Sequence, residues 1–135
     1  GPYAGILQSR AKPTATLVEH IDYESVDIAP VAVPMLRDGQ LKGYAVAKVT
    51  ASVVAEDAKK TKANINLYVT EALFRTLFDD RDFDPTQKRP AQLEALGDKI
   101  ATAANRRLGR STIKSIIFEN INMLEPGNAR SVVAK

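Results

Sequence analysis

Hydrophobic and polar residues alternate along a stretch near the middle of the chain. From Gly43 to Val54, the odd-numbered positions hold small apolar side chains and most even-numbered positions hold larger or polar ones. Because successive side chains of a β-strand point to opposite faces, this period of two predicts a strand with one face against a core. The small side chains on that face would let a helix approach the sheet closely. They are Ala45, Ala47, Val49, Ala51 and Val53.

Two other segments also predict strands. The run VAVPML, residues 31–36, is apolar, but Pro34 restricts it to a sheet edge or a bulge because proline has no N–H to donate. Asp38-Gly39 follows it as a hairpin-turn signal. The run IKSIIFENINML, residues 113–124, is the most strand-like of the chain and has apolar residues at both odd and even positions. Strict alternation predicts Ile117, Ile121 and Met123 on one face and Ile116, Phe118 and Leu124 on the other.

Apolar residues spaced by three and four predict a helix from Asp57 to Phe78. This helix has apolar residues on two sides, so it is buried twice, or it is buried once and faces a partner. The first stripe consists of Ile65, Tyr68, Val69, Ala72, Leu73, Thr76 and Leu77, and the second stripe, on nearly the opposite side, consists of Leu67, Phe74 and Phe78.

A second helix is predicted from Ala91 to Leu108. Pro90 is favourable at its first turn, Arg106 and Arg107 complement the dipole of its last turn, and Gly109 is suited to the C-cap. Gly97 lies among the apolar residues of this helix, and it predicts a close crossing with another helix or with the sheet. The whole set is Leu93, Leu96, Gly97, Ile100, Ala104 and Leu108.

The order strand, strand, helix, helix, strand predicts an α+β fold, with a small mixed or antiparallel sheet and two helices packed on one face. A chain of 135 residues is long enough for one domain. We expect the domain to span residues 31–125. Residues 1–30 are expected to be a tag remnant, indicated by Gly1-Pro2, with a linker or peripheral segment, and residues 126–135 a C-terminal tail.

Composition excludes several classes of function. Cysteine is absent, which excludes disulfides, thiol catalysis and zinc–thiolate sites. The formal net charge of +3 is low for a nucleic-acid-binding domain, and we expect no nucleic-acid partner. The sequence shows no signal peptide and no run long enough to span a membrane.

Candidate catalytic and metal-binding residues are few. His20 is the single histidine, no nucleophile motif accompanies it, and a surface role is expected. Asp80, Asp82 and Asp84 alternate as in a calcium loop, but that loop requires glycine at its sixth position and glutamate at its twelfth. Pro85 and Ala91 stand there instead. We therefore expect no catalytic residue, no metal site and no cofactor.

Two basic clusters and the connection between the helices bear on partners. Lys59, Lys60 and Lys62 form one cluster, and Arg106, Arg107, Arg110 and Lys114 form the other. Each is either a solvated helix end or a surface that docks an acidic partner or anionic lipid. The connection DDRDFDPTQKRP contains no glycine, so it lacks the GXXG loop with which KH domains hold RNA.

The chain resembles the periplasmic domain of the FliL family of the bacterial flagellar basal body. Members have an early apolar strand, a long alternating strand, two helices and a closing strand of the form V-x-x-V-x-F-x-x-F-x-x-Q. Residues 31–124 are similar to this pattern, and Ile113, Ile116, Phe118 and Ile121 match the closing strand. Two features depart from it. VAVPML replaces the usual aromatic followed by Val-Asn-Leu, and Leu124 stands in place of the final glutamine.

The resemblance implies a stomatin- or prohibitin-like fold and a non-catalytic role. It implies a ring-like homo-oligomer around the stator proteins MotA and MotB, supporting torque, and an inner-membrane anchor through an N-terminal helix outside the given sequence. Candidate self-association residues are Leu67, Phe74, Phe78, Ile116 and Phe118, and candidate partner-docking residues are Arg106, Arg107, Arg110 and Lys114.

Two alternative functions stay open on the sequence. One is a stomatin-like membrane scaffold unrelated to flagella, which genomic neighbourhood would distinguish from a motor protein. The other is a small KH-like RNA-binding module, whose mark would be binding to single-stranded RNA that weakens steeply with salt.

Overall fold

The computed structural model describes residues 20–127, which form four strands and two helices. Strand β1 is short, β3 is the longest strand, and both helices lie between β3 and β4 in the chain. The elements are β1 (Tyr23–Asp27), β2 (Val31–Arg37), β3 (Gln40–Val54), α1 (Ala55–Asp79), α2 (Pro90–Leu108) and β4 (Ile113–Leu124).

All strand pairs are antiparallel, and β3 is the centre of the sheet. Strand β4 pairs with one side of β3 along most of its length, from Tyr44 to Val53. On the other side, β2 pairs with the first half of β3 and β1 pairs with its last five residues. Strands β1 and β2 therefore follow one another along the same edge. Pro34 lies in this edge strand, where its missing N–H is tolerated.

Both helices pack on one face of the sheet, as the strict alternation of β3 predicts. The odd-numbered residues of β3 from Gly43 to Val53 are buried, and the even-numbered ones are half-buried. Helix α1 contacts β1, β2 and β3, whereas α2 packs on β4 and on α1. The α+β fold with an antiparallel sheet and two helices on one face is thus confirmed.

The prediction for the faces of β4 was wrong, because two bulges interrupt its alternation. Lys114 and Glu119 have no partner in the register with β3, and each extra residue shifts the side chains that follow it. Ile116 therefore pairs with Ala51 and Ile121 with Ala47, both on the buried face. The apolar residues facing the helices are Ile113, Ile116, Phe118, Ile121 and Met123.

The sheet also begins earlier than expected. A linker or peripheral segment was predicted up to residue 30, but Tyr23–Asp27 forms β1 and pairs with the end of β3. Val26 and Ile28 belong to the buried core. The predicted tag remnant and most of the predicted tail lie outside the described residues.

The signals at the two ends of α2 are confirmed. Pro90 is in the first turn, and Gly109 adopts φ 81° and donates its N–H to the carbonyl of Asn105. Gly97 permits close contact with the sheet, since a Cβ there would lie 2.5 Å from the backbone oxygen of Ile116. Helix α1 has a kink at Thr61, whose φ of −132° is not helical.

Two polar side chains, Asp57 and Asn105, connect the helices to the segment that leads into β4. Asp57, buried in the first turn of α1, accepts a hydrogen bond from Thr112 (3.2 Å) and pairs with Arg110 (3.3 Å). Asn105 binds the backbone of Ile113 twice, accepting its N–H at 2.8 Å and donating to its carbonyl at 2.9 Å. These contacts fix where α1 begins and where β4 starts.

Candidate interaction surface

Three large apolar side chains lie exposed along α1. Leu67, Phe74 and Phe78 are 56%, 38% and 41% exposed, and the two phenylalanine rings stack with their centroids 5.8 Å apart. At 100° per residue they fall on one line of the helix, while Ile65, Val69 and Leu73 face the core. We call these three exposed residues the apolar stripe. It is the second stripe that the sequence predicts, and of the two possibilities left open for it, the structure shows exposure, which leaves it available to a partner.

The structure does not bring the other two self-association candidates to this stripe. Ile116 is 6% exposed and lies beneath Gly97 of α2, and Phe118 packs against the core on the same face of β4. The helices already cover both side chains. Ile116 and Phe118 are therefore core residues of this domain and are not exposed for self-association.

The opposite face of the sheet is mixed in character. No described element packs on it, and Ile117 and Leu36 are among its exposed apolar side chains. They alternate with polar groups: Thr50 donates to Glu119 at 2.9 Å, and Lys48 donates to the carbonyl of Ile28 at 2.6 Å. This face can be solvated, so β4 needs no second apolar cover.

The four predicted partner-docking residues do not form one patch. Arg107 pairs with Glu71 and lies over the ring of Tyr68 at 4.8 Å, so it links α2 to α1. Arg110 pairs with the buried Asp57, and Lys114 lies over Tyr23 at 4.4 Å on the open face of the sheet. Arg106 forms no ion pair with a described residue.

The exposed groove between α1 and α2 brings together charged residues that the sequence does not predict to be neighbours. Toward the end of α2 it has a hollow of about 230 Å³, where Arg75 of α1 comes beside Arg106 and Arg107. Three arginines there face one carboxylate, that of Glu71. We call Arg75, Arg106 and Arg107 the basic end of the groove. The helical spacing of Glu71 and Arg75 was the signal that could have placed Arg75 beside the others.

The other end of the same groove carries three carboxylates and two basic side chains. Asp79, Asp80 and Asp82 line a shallow hollow of about 500 Å³ together with Thr76, Arg81 and Lys99. Asp80 accepts a hydrogen bond from the N–H of Asp82, which closes a turn at the helix end. These carboxylates remain open to solvent.

Asp84 belongs to the next turn of this loop. Its carboxylate accepts hydrogen bonds from the Thr86 hydroxyl (2.6 Å) and the Thr86 N–H (2.9 Å), and these bonds hold the pKa of Asp84 below its usual value. Phe83, beside it, is buried in the core, so the loop is anchored to the domain. The loop thus has a fixed conformation that its acidic composition alone did not reveal.

His20 and the acidic side chains are the catalytic and metal-binding candidates of the sequence. His20 is at the surface, 3.4 Å from Asp22, as predicted. Within residues 20–127, no group of three or more His, Cys, Asp or Glu side chains is placed to hold a metal ion. None of the helices described there is long and apolar enough to cross a membrane.

The sequence was also compared with known proteins. It matches no protein-family model, and no curated protein matches it. The features that bear on function are therefore the fold, the apolar stripe and the charged groove.

Proposed function

We propose that the protein is a non-catalytic scaffold of the bacterial flagellar motor, located in the periplasm and related to the FliL family. In this proposal it is anchored in the inner membrane, associates with itself and supports torque at the stator proteins MotA and MotB. The flagellar role rests on the resemblance of residues 31–124 to that family.

The observation that carries the scaffold role is the apolar stripe. Two stacked phenylalanines and a leucine on the solvent side of a helix lose their contact with water only if a partner covers them. Aromatic side chains of this kind are the usual anchors of protein interfaces. The proposal therefore states that copies of the chain bind one another through the apolar stripe.

Deletion of the gene tests the flagellar role. We expect mutant cells to carry normal numbers of filaments, counted by electron microscopy, but to swim weakly, with the defect growing as the viscosity of the medium rises. Unchanged swimming at high viscosity would contradict the flagellar role and would favour a scaffold of another membrane complex.

Paired substitutions in the stripe test the scaffold role. We expect Phe74→Ala with Phe78→Ala to leave the fold intact, since both side chains are substantially exposed, and to reduce swimming as deletion does. Ile117→Ala is the matched control, because Ile117 is also exposed but lies on the open face of the sheet. Its expected effect on swimming is none. If the double variant accumulates at the normal level and its cells swim normally, the stripe is not the surface through which the protein acts.

Membrane anchoring affects how self-association should be measured. Anchored copies share a high local concentration, so a contact that is weak in solution can be saturated at the membrane. Association is therefore best measured with the chain tethered to supported bilayers, by energy transfer between labelled copies. Loss of transfer in the Phe74→Ala, Phe78→Ala variant is the expected result, and unchanged transfer would contradict the proposal.

A further inference from the structure

The basic end of the groove between α1 and α2 has the chemistry of a docking site for another protein. We propose that it binds an acidic peptide segment of a partner protein, which places one apolar side chain in the hollow and carboxylates on the arginines around it. This inference goes beyond the proposed function and does not rest on it. It gives a role to Arg75, which neither basic cluster of the sequence contains.

The least exposed residues of the hollow are small or apolar. Ala72 of α1 is buried, Ala103 of α2 is half-buried, and the half-buried Tyr68 lines the hollow with them. Because alanine leaves room between the two helices, a side chain of a partner can enter there and contact apolar atoms. The hollow of about 230 Å³ is smaller than the pockets of about 300–1,000 Å³ that enclose small-molecule ligands. Its size therefore suits a single side chain.

Three guanidinium groups surround these residues. Arg107 pairs with Glu71 and lies over the ring of Tyr68 at 4.8 Å, so its position is set before a partner arrives. Arg75 and Arg106 are exposed and form no ion pair with any described residue. One arginine can donate two parallel hydrogen bonds to one carboxylate. Arg75 and Arg106 can therefore each bind a carboxylate of the partner.

The balance of charge at the hollow favours an anionic ligand. Three arginines and one glutamate line it, and the glutamate is already paired with one of them. Asp79, one helical turn beyond Arg75, weakens the positive potential on the α1 side. On the α2 side, Asp98 and Lys99 line the neighbouring hollow with Arg106, and their charges offset one another. We therefore expect Arg106 to contribute more to binding than Arg75.

The carboxylates around the hollow distinguish a peptide from a membrane surface. Asp79, Asp80 and Asp82 lie toward the other end of the groove, and Asp98 lines the hollow next to Arg106. A flat anionic bilayer would bring its headgroups against these carboxylates as well as against the arginines, and like charges repel. A peptide segment is narrow enough to enter the groove and contact the arginines alone. The mixed charge of this face therefore favours a peptide.

Synthetic peptides test the inference on the 135-residue chain. The panel has the form Gly-Glu-Ser-X-Ser-Glu-Gly, with leucine, phenylalanine or serine at X, and a second set has lysine in place of glutamate. Alternate residues of an extended chain point the same way, so X and both glutamates can face the groove.

NMR titration of the isotope-labelled chain measures binding. We expect the leucine and phenylalanine peptides with glutamate to shift the amide signals of Ala72 and Ala103. The lysine and serine peptides should bind at least about tenfold more weakly, because they lack the charge or the apolar side chain. No shift with any peptide, or equal shifts with the lysine set, would overturn the proposal.

Arg75→Gln with Arg106→Gln removes two cations from the site. Both side chains are exposed, so the fold should be retained, and the leucine peptide should bind at least about tenfold more weakly. Lys59→Gln with Lys60→Gln is the matched control, since it changes the net charge equally at the other end of α1. Its affinity should stay within about twofold of the unaltered chain, because salt screens distant charges. Equal losses in the two variants would show a general charge effect and overturn the proposal.

Filling the hollow tests the apolar contact separately. Ala103→Leu would place a branched side chain where that of the peptide enters, and we expect at least a tenfold loss of affinity for the leucine peptide. Ala103→Ser, which keeps the volume nearly unchanged, should lose no more than about threefold. Urea unfolding of both variants checks that the fold is retained. Undiminished binding by Ala103→Leu would show that no side chain enters the hollow and would overturn the proposal.

Two further outcomes distinguish this site from lipid binding and from the apolar stripe. If vesicles of phosphatidylglycerol bind the chain through Arg75 and Arg106 while no peptide shifts the amides of the hollow, the ligand is a lipid headgroup and the proposal fails. Phe74→Ala with Phe78→Ala should bind the leucine peptide as the unaltered chain does, because Arg75 and the phenylalanines lie on opposite sides of Glu71 around α1. A loss equal to that of the arginine variant would place the peptide on the stripe and overturn the proposal.

Peptide binding and the flagellar role can fail independently. Unchanged motility after gene deletion would contradict the flagellar role and would leave the binding of peptides to the isolated chain unaffected. Conversely, a peptide panel that shifts no amide of the hollow would leave the motility result as it stands.

Discussion

Gly97 shows how a single missing side chain sets the distance between two layers. It lies on the buried side of α2, and the backbone oxygen of Ile116 on β4 lies within 2.5 Å of the place where a Cβ would be. Glycine costs helix stability relative to alanine, so its presence here is explained by packing. The close approach lets α2 cover β4 directly.

We expect Gly97→Ala to destabilise the domain. The new Cβ would lie 2.5 Å from a backbone oxygen, so helix or strand must shift, at a net cost of about 1–3 kcal/mol despite the better helix propensity. Urea unfolding measures this cost. Gly127→Ala, whose Cβ would meet no atom within 4 Å, is the control and should stay within about 0.5 kcal/mol. An unchanged midpoint for Gly97→Ala would contradict the close packing.

The acidic loop gives a prediction about pH. The Thr86 hydroxyl is the main cause of the lowered pKa of Asp84, and the Thr86 N–H is the second. Thr86→Val removes only the first bond, so the pKa of Asp84 should rise toward its usual value without reaching it. Carboxyl titration by NMR measures the change, with Asp82, which accepts no bond from Thr86, as the internal reference.

The sign of the pH effect on stability follows from the same bonds. A carboxyl whose pKa is lower in the folded state stabilises the fold at pH values above its unfolded pKa of about 3.9. That contribution is lost as the pH falls below this value through the folded pKa. In Thr86→Val, the stability lost on acidification over this range should be smaller, and an equal loss would contradict the assignment.

At the scale of elements, side chains at the ends of helices decide how α2 and β4 meet. Asn105, in the last turn of α2, satisfies both the N–H and the carbonyl of Ile113, the first residue of β4. An amide side chain has both a donor and an acceptor, so it can bind a strand backbone as a neighbouring strand would. The turn between the two elements is thereby held at a fixed angle.

Replacing Asn105 by alanine should loosen this joint. Two partly buried backbone groups of Ile113 would lose their partners, at a cost of about 1–3 kcal/mol. Hydrogen exchange should be faster at the amide of Ile113 than in the unaltered chain. Asn66→Ala is the control, because Asn66 makes one exposed hydrogen bond within its own helix and its loss should have little effect. Equal effects of the two substitutions would show that the joint is not held by Asn105.

For the whole molecule, the extent of the domain depends on β1. Without β1, the last five residues of β3 would lose their pairing on one side, and Val26 and Ile28 would leave the core. The last residues of β3 lead directly into α1, where Ala55 donates its N–H to the carbonyl of Asp22. The segment before residue 31 therefore supports the start of the first helix.

Ile28→Ala measures how much the domain depends on this segment. Ile28 is fully buried, so we expect a loss of about 2–5 kcal/mol in the free energy of unfolding. Ile21→Ala is the control, since Ile21 is 53% exposed and should change stability by less than about 0.5 kcal/mol. Thermal or urea unfolding of both variants gives the comparison. A small effect of Ile28→Ala would show that residues before position 31 contribute little to stability, and that the domain begins at residue 31 as the sequence predicts.

Local pattern determined most of the fold. The alternation of β3, the spacing of apolar residues in both helices, Pro90 and Gly109 each act over a few neighbouring residues. The sequence alone therefore predicts β2, β3, β4, both helices and the face of β3 that the helices cover. It also predicts that Leu67, Phe74 and Phe78 share one side of the helix, because helix geometry fixes which residues lie together. Whether a second layer covers them was left open, and the structure leaves them exposed.

Tertiary contacts decided the rest. The bulges at Lys114 and Glu119 depend on the register with β3, and they move Ile116 and Phe118 to the buried face, which strict alternation cannot predict. Strand β1 is recognisable only through its pairing with β3. The groove exists because packing of α1 on α2 brings Arg75 beside Arg106, a residue about thirty positions away. Contacts between distant residues determine these features, and no local period encodes them.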